Sequence, residues 1–218
     1  MCVVAVCRKK IDKDTFERCF NKNKDGFGFA YVKDGLVNYK KGMMTLDEAW
    51  NEYKKHTFNK FFDGCEYNHV IHFRLGNPVC KELTHPFIVN EDSTEMLEYV
   101  GEHKVLFHNG TISSWKDLII PVFLKIGKII SGSISDTRLA AILVNVLGDN
   151  VLTMISGKYV ILDRTYFRTF GTFEKDDNGN LFSNDSYKKS VTYVSREYHK
   201  PELPKTYDDF STTQEFVI

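Results

Sequence analysis

A cysteine at the start of the chain has the position of a nucleophile. Cys2 follows Met1, so removal of Met1 would make Cys2 the first residue of the mature chain. Its thiol would then share a residue with a free α-amine, whose unperturbed pKa is about 7.7 to 8.0. Such a residue carries its own general base. The apolar run 3–7 predicts a buried strand that would hold this terminus rigidly. The alternative is that Cys2 merely precedes a core strand.

Two further segments carry polar side chains that need a reason. Residues 67–75 predict a strand whose alternation places His72 and Arg74 on one face. Two polar residues that face inward need an explanation, and the simplest is that Arg74 reaches water at the strand end. His85 precedes a proline, which favours an extended backbone at His85. Taken alone, that pair indicates only a turn.

Two more positions combine a backbone feature with a polar side chain. Residues 104–110 predict a strand that runs into Asn109 and Gly110. This pair could form a tight turn, or an oxyanion hole in which an amide lies beside an unhindered N–H. Asp136 stands at the start of an amphipathic helix that ends at Gly148. There it could cap the helix or pair with a substrate ammonium, and the sequence leaves both open.

The other segments predict the scaffold that positions these residues. Asp34-Gly35 indicates a hairpin between two runs of aromatic and β-branched residues, and Thr45 with Glu48 forms a capping box. The predicted helices are 12–21, 46–56 and a segment opening at 111–115, and the further strands are 27–33, 36–40, 158–163, 166–174 and 181–183. These elements predict a large, mostly antiparallel sheet. Residues 196–218 are polar and are expected to form a C-terminal tail beyond a domain of residues 1–195.

Composition restricts the kind of partner. Lysine and arginine together number 29 and so do the acidic residues, and the pI is near 7.0, so no global charge attracts nucleic acid or an anionic membrane. A small-molecule partner is expected. The five cysteines are an odd number without a CxxC pair, which favours a reducing cytoplasm over a disulfide framework or a zinc site. No signal peptide is expected at the N-terminus. No apolar run of about 18 residues predicts a membrane span.

Read together, five blocks resemble the class II glutamine amidotransferase domain, an N-terminal nucleophile hydrolase. They are Cys2, His72-Phe73-Arg74, His85-Pro86-Phe87, His108-Asn109-Gly110 and Ser135-Asp136-Thr137. Their order and approximate spacing match the family over residues 2–163. The resemblance implies an α+β fold, a four-layer αββα sandwich of two mostly antiparallel sheets. It implies neither a cofactor nor a metal.

The resemblance also implies roles for individual residues. Cys2 would attack the side-chain amide of glutamine, and its α-amine would pass the proton to the departing ammonia. Asn109 and the Gly110 N–H would hold the oxyanion. Arg74 would bind the α-carboxylate and Asp136 the α-ammonium.

Other histidines would support the site, and two departures from the family pattern alter it. His85 would support the pocket, while His72 and His108 are expected to be structural. Leu75-Gly76-Asn77-Pro78 replaces a small residue and threonine, which alters one contact to glutamine and makes Asn77 a substrate-binding candidate. Arg138 replaces an acidic residue.

The expected activity is release of ammonia from glutamine or a γ-glutamyl amide. No second synthase domain is expected after residue 163. Ammonia would therefore pass to a separate synthase subunit, or the chain would shape a pocket for another amide, or it would only hydrolyse. Two alternatives stay open, namely an N-terminal-nucleophile amidase for a different amide and a non-catalytic glutamine-binding protein.

Overall fold

The computed structural model describes residues 1–57 and 69–189. Eleven strands and four α-helices alternate along this part of the chain. The strands are β1 (Val3–Cys7), β2 (Phe27–Lys33), β3 (Leu36–Met43), β4 (His69–Phe73), β5 (Phe87–Ile88), β6 (Glu98–Gly101), β7 (Val105–Asn109), β8 (Lys158–Leu162), β9 (Phe167–Phe170), β10 (Glu174–Lys175) and β11 (Leu181–Phe182). The helices are α1 (Lys13–Lys22), α2 (Leu46–Thr57), α3 (Ile119–Ile126) and α4 (Asp136–Leu147). The proposed tail 196–218, the beginning of the predicted strand 67–75 and Cys65 lie outside the described residues.

The strands form two antiparallel sheets. The larger sheet has the order β10-β11-β1-β4-β2-β3-β6, and the smaller has the order β5-β7-β8-β9. Strand β1 lies inside the larger sheet, where Val4 pairs with His72 of β4 and Ala5 pairs with Phe182 of β11. The predicted N-terminal strand is therefore held on both sides, as a rigid Cys2 requires.

Side chains along β1 point alternately to the two faces of the larger sheet, so the strand contributes to two separate hydrophobic cores. Val3 and Ala5 pack with Phe16 of α1 and Tyr53 of α2 on one face of the larger sheet. Val4 and Val6 point to the opposite face and pack against the smaller sheet, together with Phe107 of β7 and Val160 of β8. Since side chains in a strand alternate, Cys2 belongs to the face that meets the smaller sheet.

Helix α4 packs on the other face of the smaller sheet. Its Ala140 and Val144 lie against Leu106 and Ile161. Small residues on the helix let it approach the sheet closely, and its N-terminus then reaches the end of β7. Helix α3 packs in turn against α4 through Val122 and Ile142.

Several predicted elements differ in extent from those observed. The predicted strand 166–174 is wrong as a single element, because the chain turns at Gly171, whose φ is 88°, and crosses from β9 of the smaller sheet to β10 of the larger one. The helix expected from residue 111 begins later, as a short 3₁₀ turn (Trp115–Leu118) that leads into α3. Strand β4 ends at Phe73, so Arg74 lies just beyond it.

Candidate active site

A cleft of about 260 Å³ opens where β1, β4 and β7 approach the N-terminus of α4. Its wall contains six of the seven residues proposed from the sequence for catalysis or binding: Cys2, Arg74, Asn77, His85, Gly110 and Asp136. Leu83, Trp115 and Ile134 add an apolar part to the same wall. These groups come from segments up to 134 residues apart in the sequence, and only the fold brings them together.

The Cys2 thiol contacts the backbone at the end of β4. The Leu75 N–H donates to Sγ over 3.3 Å, and the Leu75 carbonyl accepts from the thiol at the same distance. Burial raises the pKa of the Cys2 thiol, while the Leu75 N–H and the Arg74 guanidinium oppose that rise. Cys2 is only partly buried, whereas Cys7 and Cys19 are fully enclosed in the core. Of these three thiols, Cys2 alone lies on the cleft wall.

Arg74 brings a buried positive charge to the cleft. It is 7% exposed, and its backbone is fixed by a 2.7 Å bond from its N–H to the Gly26 carbonyl. The guanidinium donates through Nη1 to the Gly76 carbonyl at 2.9 Å. Within residues 1–57 and 69–189 no carboxylate forms an ion pair with it. A buried cation of this kind is a binding group for an anion, because guanidinium offers five donors in a planar fork.

Asp136 occupies the first position of α4 and does not cap it. Ser135 is the N-cap, since its Oγ accepts from the Arg138 N–H at 3.1 Å. The Asp136 carboxylate accepts from the Thr137 N–H at 2.7 Å and from the Ile112 N–H at 3.1 Å. A carboxylate with these two backbone bonds retains lone pairs for a further donor. An ammonium in the cleft could use them.

Thr137, to which sequence reasoning assigned no role, connects the histidines. Thr137 Oγ1 lies 3.0 Å from His85 Nε2 and 3.0 Å from His108 Nδ1. Because a hydroxyl has a single proton to donate, at least one imidazole must donate its N–H to this oxygen. His72 Nε2 donates to the His108 carbonyl at 3.1 Å, which joins the two sheets beneath the cleft.

These histidines are neutral at ordinary pH. Burial lowers the pKa of His72 to about 3 and holds the pKa of His85 well below its usual range. Burial also lowers the pKa of His108, although the Asp136 carboxylate partly opposes this. His85 lines the cleft and contacts Thr137, and its supporting role in the pocket stays a prediction.

Asn109 ends β7 and Gly110 follows it, but only Gly110 lies on the wall of the cleft. Gly110 has a φ of 150°, and a Cβ there would stand 3.0 Å from both His108 Nε2 and the Gly157 Cα, so glycine is required. The Asn109 side chain is buried and donates from Nδ2 to Ser183 Oγ at 2.9 Å. Its role at an oxyanion therefore stays a prediction.

Comparisons with known proteins show a similarity of fold. No protein-family model matches the chain, and neither does any curated protein. A solved structure of glutamine phosphoribosylpyrophosphate (PRPP) amidotransferase from B. subtilis, complexed with ADP and GMP, superposes with a TM-score of 0.54 at 14% identity. A structure of the allosteric regulatory enzyme of purine biosynthesis gives a TM-score of 0.55 at 15% identity. In both cases the match covers 84% of this chain and 41% of the other. The chain thus shares the mixed fold with two antiparallel sheets and spans less than half the length of these proteins.

Proposed function

We propose that the protein is a cysteine-dependent amidohydrolase of the class II glutamine amidotransferase type, which releases ammonia from glutamine. The observation that carries the proposal is that one cleft holds the Cys2 thiol, the Arg74 guanidinium without a carboxylate partner and the Asp136 carboxylate. These are a nucleophile and two opposite charges, which match an amide and the zwitterionic head of an amino acid. The layers formed by α1 and α2, the two sheets, and α4 would then be the αββα sandwich of N-terminal nucleophile hydrolases.

In this mechanism Cys2 attacks the δ-carbon of glutamine. The thiol proton passes to the Cys2 α-amine and from there to the leaving nitrogen, so ammonia departs and a thioester remains. Water, deprotonated by the same amine, then hydrolyses the thioester to glutamate and restores the thiol. The amine must be free for these steps, and Met1 is 80% exposed, where a peptidase can reach it.

The cleft supplies recognition and charge stabilisation. Arg74 binds the α-carboxylate and Asp136 binds the α-ammonium, so both ends of the amino acid are recognised. The Gly110 N–H, with Asn109, stabilises the oxyanion of the tetrahedral intermediate. Asn77 and His85 complete the wall around the substrate.

The acceptor of the ammonia is a further part of the proposal. In this proposal a separate synthase subunit receives it. The free cysteines fit a reducing cytoplasm. Among the described residues no helix has the length and apolar character needed to cross a bilayer.

The test is product release combined with labelling of Cys2. Purified protein with free Cys2 should form glutamate and ammonia in equal amounts from glutamine, and Cys2→Ala should abolish both. A glutamine-like diazo-ketone should label Cys2, as located by peptide mapping. Cys80→Ala is the matched control, because Cys80 is also a partly buried free thiol but lies outside the cleft wall. Full activity of Cys2→Ala, or an active protein whose intact mass retains Met1, would refute this mechanism.

A further inference from the structure

We propose that Ser183 and Asn184, which directly follow β11, are positioning residues that hold Cys2 and Asn109 in their reactive geometry. The inference rests on the proposed function and adds to it a segment outside the region of sequence resemblance. Both residues act through other groups, since neither lies on the cleft wall.

Asn184 fixes the backbone of the nucleophile. Its Nδ2 donates to the Cys2 carbonyl at 2.7 Å, across 182 positions of sequence. Its Oδ1 accepts from the Ser186 N–H at 3.0 Å, so a short turn orients the amide. Cys2 precedes the first residue of β1 and has no partner of its own in the sheet ladder. The Asn184 bond therefore supplies an anchor that strand pairing does not give to this residue.

Ser183 joins the two sheets at the cleft. Its Oγ accepts from the Val4 N–H and from Asn109 Nδ2, each at 2.9 Å, and its N–H donates to the Val4 carbonyl at 2.9 Å. Lys158 of β8 donates to the Ser183 carbonyl at 2.6 Å. The residue is fully buried, and the bonds of its Oγ to Val4 and Asn109 are made away from water. Ser183 thus sets the Asn109 amide relative to the strand that carries Cys2.

The turn between β10 and β11 holds the far end of β1 in a comparable way, which provides a matched control. Asn180 accepts from the Arg8 and Lys9 N–H groups through Oδ1, at 2.8 and 2.9 Å. It is 1% exposed and donates to Asp176 at 3.0 Å. Asn180→Ala and Asn184→Ala therefore remove the same side-chain amide from opposite ends of one strand. Only the second change releases Cys2.

The experiment compares turnover with chemical labelling of Cys2 in these two variants. Asn184→Ala should lower kcat for glutamine about 10- to 100-fold, since a nucleophile displaced by about 1 Å loses that much rate. Alkylation of Cys2 by iodoacetamide should become faster, because a thiol released from its partly buried position meets water and ionises more readily. Asn180→Ala should lower the Tm but change neither rate. If Asn184→Ala unfolds, Asn184→Asp keeps the oxygen that orients the turn, loses the N–H donor and should lower kcat.

Ser183 is tested through Asn109. Ser183→Ala should lower kcat with a much smaller change in KM, and it should have little further effect in an Asn109→Ala background, because residues that act as one unit are not additive. Independent, multiplying losses would overturn this part of the proposal.

The outcomes separate the positioning proposal from the proposed function. Wild-type protein that does not hydrolyse glutamine refutes the function, and the alkylation rates of Asn184→Ala and Asn180→Ala then decide the positioning of Cys2. Active wild-type protein, with Asn184→Ala equal to it in kcat and in alkylation, refutes the positioning alone.

Discussion

Arg74 is a buried cation that uses one of its five N–H donors within the described chain. Enclosing a guanidinium without an acidic partner costs free energy, which is regained when an anion binds. Asp136 lies on the wall of the same cleft and carries the opposite charge. In the proposed function the pair selects a ligand with both a carboxylate and an ammonium, as an α-amino acid has.

Substitution of Arg74 tests this selection directly. Arg74→Ala should cost on the order of 2 to 4 kcal/mol, or about 30-fold to 1000-fold in kcat/KM for glutamine. Arg74→Lys should be almost as inactive, because an ammonium cannot reproduce the planar two-donor fork. Asp136→Asn, which keeps an acceptor for the Ile112 N–H but removes the charge, should show a loss of the same order. Steady-state kinetics measure these losses, and circular dichroism confirms folding.

A control for this series lies on the surface. Arg164 is 43% exposed and pairs with Glu102 at 3.5 Å, outside the cleft. Arg164→Ala should keep wild-type kinetics. Normal hydrolysis of glutamine by Arg74→Ala and Asp136→Asn would return both residues to structural roles and would refute their assignment to the α-carboxylate and the α-ammonium.

Asn109 should behave differently from the two charged residues. Since the oxyanion exists only along the reaction path, Asn109→Ala should lower kcat, by about 100- to 1000-fold if the amide contributes a full donor, with little change in glutamine binding. Its bond to Ser183 offers a competing structural role. Measurement of kcat, KM and Tm on one preparation distinguishes them, because a purely structural residue would lower the Tm and spare kcat.

Sequence reasoning identified residues whose amino-acid type alone suggests a chemical role. It missed residues whose role depends on the side chains that they contact in the fold. Cys2, Arg74 and Asp136 stand out because a thiol or a charge in an apolar setting needs a reason. Thr137 and Ser183 are ordinary polar residues in the sequence. Their importance comes from contacts that span 52 positions to His85 and 74 to Asn109, which no local pattern encodes.

Among the elements, the N-terminus of α4 makes several polar contacts beside the cleft. Asp136 and Thr137 face the cleft, while Arg138 points to the neighbouring loops. The Arg138 side chain is 3% exposed and donates to the Ser93 carbonyl at 2.7 Å, the Ser133 carbonyl at 2.9 Å and the Asp92 carbonyl at 3.0 Å. Arg138 therefore holds two loops against the helix that carries Asp136.

Removal of that guanidinium should destabilise the protein. Arg138→Met leaves three carbonyls without their donor and should lower the free energy of unfolding by roughly 2 to 4 kcal/mol. Arg138→Lys should lower it by less, since one ammonium can satisfy part of the set. Arg168→Met is the control, because Arg168 is 49% exposed and pairs with Asp149 at 3.4 Å, so its loss should cost less than about 1 kcal/mol. Urea denaturation compares the three, and equal midpoints for Arg138→Met and Arg168→Met would contradict the assigned role.

Helices that begin with a capping residue could be predicted from the sequence. Strands that exist only because they pair with a distant strand could not. Helices α1 and α4 begin where expected because Asp12 and Ser135 accept from the first turn. Strand β5 has only two residues and exists because Phe87 pairs with Leu106 of β7. Residues 166–174 predict one continuous strand, because no sequence pattern near Gly171 indicates that the chain changes sheets there.

At the scale of the whole molecule, the interior holds uncharged imidazoles on both faces of β4. His69 approaches the hydroxyl of Tyr53 at 3.0 Å, and His72 faces the smaller sheet, where its ring lies 3.9 Å from that of His85. Burial lowers the pKa of both His69 and His72 to about 3. Both side chains are buried at positions where a protonated, charged imidazolium would lose its hydration by water.

Acid should therefore destabilise the fold before most carboxylates titrate. In the unfolded chain a histidine binds its proton near pH 6.5, whereas the folded state keeps these rings neutral to much lower pH. Stability from this source is fully present above pH 6.5 and is lost as the pH falls below it, by about 1.4 kcal/mol for each such histidine at pH 5.5. Urea denaturation at pH 7.5, 6.5 and 5.5 should show a falling midpoint. His69→Gln, which can still bond to Tyr53 but cannot titrate, should show a smaller fall between pH 6.5 and 5.5, and an unchanged pH dependence would mean that His69 is protonated in the folded state.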